Sequence, residues 1–68
     1  MKPEIVKFAN GKYGIRKTSL FGMHTYLDFR ETRYWWPLGS QFMASCQKKD
    51  LEEVQEIYAL YVDKGVPL

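Results

Sequence analysis

The chain has 68 residues, 46% of them apolar and 16% aromatic, with one cysteine, one histidine and a formal charge of +2. That length predicts one small domain, residues 1–68, whose core must be built largely from rings, because aromatic side chains bury the most area per residue. A single cysteine excludes an internal disulfide framework, Met1-Lys2-Pro3-Glu4 holds no apolar signal core, and no run approaches a membrane span, so a reducing cytoplasmic setting away from the membrane is expected.

The strongest local signal is Asn10-Gly11, since both residues tolerate the positive φ that a two-residue hairpin turn requires. A turn centred there places Val6 opposite Ile15 and Phe8 opposite Tyr13 on one side, with Glu4 opposite Lys17 at the open end. Ile5, Lys7, Lys12, Gly14 and Arg16 then share the other side, which is mostly basic. A slip of one residue would exchange the two sets, because side chains alternate along a strand.

Thr18 to Gly22 reads as a short connection containing Leu20-Phe21. Thr25, Leu27 and Phe29 then alternate with His24, Tyr26, Asp28 and Arg30, the period-2 pattern of a strand. A turn at Glu31-Thr32 pairs Leu27 with Trp36 and Phe29 with Tyr34 on the core side. It leaves Asp28 opposite Trp35 and Arg30 opposite Arg33 outside. Glu-Thr is poor chemistry for that turn type, so a longer loop is the alternative. Pro37 ends the strand, having no N–H to give a ladder.

Residues 38–49 support two readings: a short helix capped by Ser40 with Phe42, Met43 and Cys46 on one face, or a last edge strand. From Asp50 the pattern is helical. Asp50 is a good N-cap, Glu53 stands at the capping-box position, and Leu51, Val54, Ile57, Tyr58 and Tyr61 recur at helical spacing. Leu60 and Val62 fall off that stripe, and Lys64-Gly65 with Pro67 beyond forms a stop. The fold class that satisfies these elements is α+β. An antiparallel β-meander of three to four strands carries one C-terminal α-helix packed on one face (ββββα), leaving the opposite sheet face uncovered.

The runs Asn10-Gly11-Lys12-Tyr13-Gly14-Ile15-Arg16-Lys17, Tyr26-Leu27-Asp28-Phe29, Tyr34-Trp35-Trp36 and Asp50-Leu51-Glu52-Glu53-Val54 resemble those of small bacteriophage and prophage accessory proteins. Those proteins carry a similar basic strand, a Tyr-Leu-Asp strand, a tryptophan strand and an acidic helix. The resemblance implies a protein that acts in the bacterial host cytoplasm by binding, and modulating or inhibiting, a host protein, as anti-defence inhibitors do. It carries over no functional residue.

The chemistry-bearing residues point away from catalysis. His24 has no second histidine or cysteine at ligand spacing, so no metal and no cofactor are expected. Cys46 with His24 sits in no nucleophile motif, and a buried cysteine acting as a small hydrophobe is the plainer reading. Asp28 and Glu31 stand among arginines, where ion pairing to Arg16, Arg30 or Arg33 is expected over paired-carboxylate work.

Charge is unevenly spread. Residues 1–49 hold nine Lys and Arg against three carboxylates, a net +6, whereas residues 50–68 hold one Lys against five carboxylates, a net −4. The uncovered face would gather Lys7, Lys12, Arg16, Tyr26, Arg30, Arg33 and Trp35, with Trp35, Tyr26 and the arginines as anchors and Lys7 and Lys12 steering. Tyr, Trp and Arg are the residues of protein hot spots, which makes a host protein the expected partner. Cations interleaved with rings also suit single-stranded nucleic acid, the alternative, or a nucleic-acid-binding complex. A homodimer contact and a merely solvated face are the bland readings. Mimicry of nucleic acid by Glu52, Glu53, Glu56 and Asp63 ranks below these.

Overall fold

Two hairpins built on the same turn set the register of the sheet. In the first, Phe8 N–H donates to Lys12 C=O (2.7 Å) and Gly11 N–H to Phe8 C=O (3.0 Å), with Gly11 at φ +86°. In the second, Ser19 N–H donates to Met23 C=O (2.9 Å) and Gly22 N–H to Ser19 C=O (3.0 Å), with Gly22 at φ +80°. Both are three-residue loops that end in a left-handed glycine bulge. Asn10-Gly11 therefore forms the last two residues of a three-residue loop and does not span a two-residue turn. An odd loop shifts the pairing by one residue.

The computed structural model describes residues 2–30 and 34–63. It is a ββββα fold: strands β1 (Glu4–Lys7), β2 (Tyr13–Thr18), β3 (His24–Leu27) and β4 (Trp35–Pro37) form one antiparallel sheet in the order β1-β2-β3-β4, followed by helix α1 (Leu51–Ile57). No described helix is long and apolar enough to cross a membrane.

The observed pairs are Ile5 with Ile15, Val6 with Gly14 and Lys7 with Tyr13. In the outer pair, Tyr26 stands opposite Trp36 and Leu27 opposite Trp35. Both edge strands are thus offset by one residue from the expected register. The central strands β2 and β3 keep the expected alternation: Ile15 and Leu27 are fully buried on one side, while Arg16 pairs with Tyr26 on the other. Asp28 N–H donates to Tyr34 C=O (2.7 Å), which continues the β3–β4 pairing beyond Leu27. The turn expected at Glu31-Thr32 lies outside the described residues, as does the Lys64-Gly65 stop.

Helix α1 starts where the sequence places it, with the Asp50 carboxylate accepting from Glu52 N–H (2.9 Å). Glu53 pairs with Lys48 Nζ (2.9 Å) and so serves as an ion-pair partner. Val54 and Ile57 close the core over Ile15 and Leu27, with Ile5, Tyr13, Phe29 and Trp35 around them. Past Ile57 the chain widens into a π-type turn over Tyr58–Asp63. The extra residue per turn rotates the stripe and brings Val62, expected off the core, in beside Tyr58 and Tyr61.

The opposite face of the sheet is covered as well, contrary to expectation. Both readings of residues 38–49 are realised in part. Ser40 Oγ accepts from Phe42 N–H (3.1 Å) ahead of a 3₁₀ turn at Met43–Cys46, and Lys48 then exchanges backbone hydrogen bonds with Tyr13 (2.8 and 2.9 Å). Phe29 N–H donates to Ser45 C=O (2.9 Å), so this segment is wedged between the start of β2 and the end of β3. Cys46 is fully buried against the sheet, its thiol donating to the Tyr26 and Phe42 carbonyls (3.6 Å each).

Gly14 permits this second layer. A Cβ on it would lie 2.6 Å from the Phe8 ring and 2.7 Å from the Cys46 carbonyl oxygen, and the latter is backbone and cannot swing aside. Gly14→Ala is expected to cost about 1–3 kcal/mol by overpacking. Urea denaturation checks this, and an unchanged midpoint would mean that the 42–46 segment is not seated there.

Candidate functional site

The seven residues expected on one open face are divided by the observed register. Lys7 and Trp35 lie on the side covered by α1. Lys7 Nζ stands 5.9 Å from the Tyr13 ring centroid, and Trp35 packs on the core with Lys17 Nζ 4.4 Å above its ring. Arg16, Tyr26 and Arg30 lie on the side of Cys46. Lys12 flanks the first turn, its N–H donating to Asn10 Oδ1 (3.0 Å). Arg33 lies outside the described residues. Trp35 is on the opposite side from its expected place because it pairs with Leu27, while Trp36 takes the outer position across from Tyr26.

Most of the groups that share a side are committed to intramolecular partners. Tyr26 is only 5% exposed, its ring 5.4 Å from that of Phe8, so no base or partner ring can stack on it. Arg16 is ion-paired with Glu4. Arg30 folds back on Asp28, with Nε at 2.9 Å and Nη2 at 2.6 Å from Oδ2, and its guanidinium lies 4.9 Å from the Phe42 ring centroid. Trp36 Nε1 donates to the same carboxylate oxygen (3.0 Å), and its ring sits 4.4 Å from both Tyr34 and Phe42. A ladder Tyr34–Trp36–Phe42–Arg30 is thereby threaded around one fully buried aspartate. The expected pairing of Asp28 with an arginine is observed, and its partner is Arg30.

The remaining chemistry is quiet. Burial and the nearby Asp28 charge push the Cys46 thiol up to about 11, so it stays protonated at neutral pH and is a poor nucleophile. His24 Nδ1 meets Thr18 Oγ1 (2.9 Å), not the thiol. No group of three or more His, Cys, Asp or Glu among the described residues could hold a metal ion.

Several large apolar side chains are also left outside. Leu20 is 87% exposed, Phe21 93%, Met23 64% and Leu38 66%. The topology brings them together. Leu20, Phe21 and Met23 belong to the β2–β3 turn, and because Thr25 pairs with Pro37, Leu38 leaves β4 at the same end of the sheet. Sequence reading passes over this cluster as a connection. The available signal was two large apolar residues directly before a turn glycine, where polar residues are usual.

Compared with protein-family models, characterised proteins and solved structures, the chain finds no match. The class that the fold defines is an α+β domain whose four-stranded meander is covered by α1 on one face and by the 42–46 segment on the other.

Proposed function

We propose that this chain is a non-enzymatic protein-binding domain of phage type that docks on a host protein in the bacterial cytoplasm and modulates or inhibits it. The observation that carries this reading is the distribution of spare surface. Tyr26, Arg16, Arg30 and Lys17, suited to nucleic acid, are engaged internally, whereas Leu20, Phe21, Met23 and Leu38 stand exposed at one end of the sheet. Clustered exposed apolar groups of this kind mark interaction sites. Single-stranded nucleic acid is the rival, favoured by the absence of any carboxylate from Ile5 to Leu27.

The test is retention of bacterial lysate components on the immobilised domain, with and without nuclease. A protein retained in both conditions is the expected result. Retention that disappears with nuclease, and a steep loss of affinity for single-stranded DNA as salt rises, would favour the rival.

A further inference from the structure

Asn10-Gly11 carries chemistry as well as conformation. Asn10 is the chain's one asparagine, and it lies exposed directly before a glycine in the left-handed region. The backbone nitrogen that follows an asparagine can attack its side-chain carbonyl carbon, because the ring so closed is a stable five-membered imide. Glycine leaves that nitrogen most accessible, having no Cβ to crowd it. A Cβ on Gly11 would meet nothing within 4 Å, so no neighbouring group obstructs the approach.

The folded hairpin instead withholds each group by hydrogen bonding. Gly11 N–H, which supplies the nucleophile, is tied to Phe8 C=O (3.0 Å). Asn10 Oδ1 accepts from Lys12 N–H (3.0 Å), and Asn10 Nδ2 donates to Gln47 Oε1 (2.9 Å), so the side-chain amide is held from both ends. Gln47 is 37 residues away along the chain, and its contact therefore exists only when the domain is folded. The turn itself does not require the amide, since the second hairpin closes in the same way with Leu20-Phe21 before Gly22.

We propose that Asn10-Gly11 is a self-modification site that the folded hairpin keeps shut and unfolding opens. The Gly11 nitrogen gives up its proton and bonds to Asn10 Cγ, the Cγ–Nδ2 bond breaks, and the amide leaves as ammonia with that proton. Water then opens the succinimide at either carbonyl, giving aspartate or isoaspartate. No oxidant, reductant or other reactant enters. Either product lowers the formal charge from +2 to +1. Isoaspartate also inserts the side-chain methylene into the main chain of a loop whose length the Phe8–Lys12 and Gly11–Phe8 hydrogen bonds fix. A chain that has spent time unfolded is thus marked in its first turn, whatever the domain binds.

The test follows the full chain at mildly alkaline pH and reads the tryptic fragment Phe8–Lys12 by mass spectrometry for exchange of amide for acid. Three hydrogen bonds must be released in the folded chain, at roughly fivefold in rate for each, so it should react about a hundredfold more slowly than the same chain in denaturing urea. Gln47→Ala removes one of them and should react roughly fivefold faster than the unaltered chain. Opening of one turn exposes little surface, so the folded rate should respond weakly to urea below the unfolding transition. The isoaspartyl form, separated by chromatography, should unfold at lower urea than the aspartyl form.

A folded chain that reacts as fast as the unfolded one, or an unfolded chain that does not react, would overturn the proposal. Gln47→Ala at the unaltered rate would remove the Gln47 contact from it. A steep response to low urea would move the gate from the turn to global unfolding. Equal midpoints for the two products would show that the turn accommodates the inserted methylene.

Discussion

Replacing Asp28 with alanine is expected to destabilise the domain by about 1.5–3 kcal/mol, the usual worth of hydrogen bonds to a buried charged acceptor, since the Arg30 side chain is itself 48% exposed and rehydrates when released. A chain of this length holds only about 3–10 kcal/mol in total at typical stability per residue, so the loss is a large fraction of it. The reason is the number of groups that converge on one buried carboxylate. Oδ1 accepts from Arg30 N–H (2.8 Å) and Oδ2 from Arg30 Nη2 (2.6 Å) and Trp36 Nε1 (3.0 Å). Alanine leaves the Arg30 N–H and the partly buried Trp36 Nε1 without their acceptor and releases the Arg30 guanidinium from its ion pair.

The same contacts predict acid sensitivity. Hydrogen bonding from Arg30, then the Trp36 contact, hold the Asp28 carboxyl at about 2, below its ordinary 3.8. A depressed carboxyl stabilises the fold above the unfolded value, and that contribution is lost as pH falls through the folded one. About 2 kcal/mol should therefore disappear between roughly pH 4 and pH 2. Urea titrations across that range check it. Asp28→Asn should flatten this part of the profile, and an Asn variant with the parental pH dependence would remove Asp28 from the account.

Trp36→Ala is the second large effect, expected near the 3–5 kcal/mol range for truncating a packed Trp. The ring joins Tyr34 to Phe42 and so holds the segment that covers the second face, while its Nε1 satisfies Asp28. Trp36→Phe keeps the stacking and gives up the donor, at a cost of about 1–3 kcal/mol. Trp35→Ala should cost less than Trp36→Ala, because Trp35 sits at the margin of the core under Lys17 and holds no second segment in place. The reverse order in guanidinium unfolding would mean that β4 carries its tryptophans the other way round.

These two residues also show where sequence reading runs out. Trp35 and Trp36 are adjacent, as are Ile5 and Val6, so each edge strand offers an apolar residue to either side. Alternation cannot choose between two registers that both look amphipathic. In β2 and β3 the partition is unambiguous, with Ile15 and Leu27 against Arg16 and Asp28, and there the expected faces are observed. The expected patch divides at the edges for the same reason: Lys7 takes its side from the three-residue first loop, and Trp35 from its pairing with Leu27. Tyr26 kept its expected side yet became buried, because Phe8 and Cys46 arrive over it from distant parts of the chain.

By itself the sequence determined the order of the strands, the turn glycine at Gly11, the Asp50 cap and the apolar stripe of α1, all matters of local propensity and short-range spacing. Only the tertiary structure decided the edge registers, the second layer over Gly14 and the crowding of Leu20, Phe21, Met23 and Leu38 at one end. Those depend on a bulge that adds one residue to a loop and on contacts between segments twenty or more residues apart, as between Tyr26 and Cys46. Period-2 patterning carries no information about either.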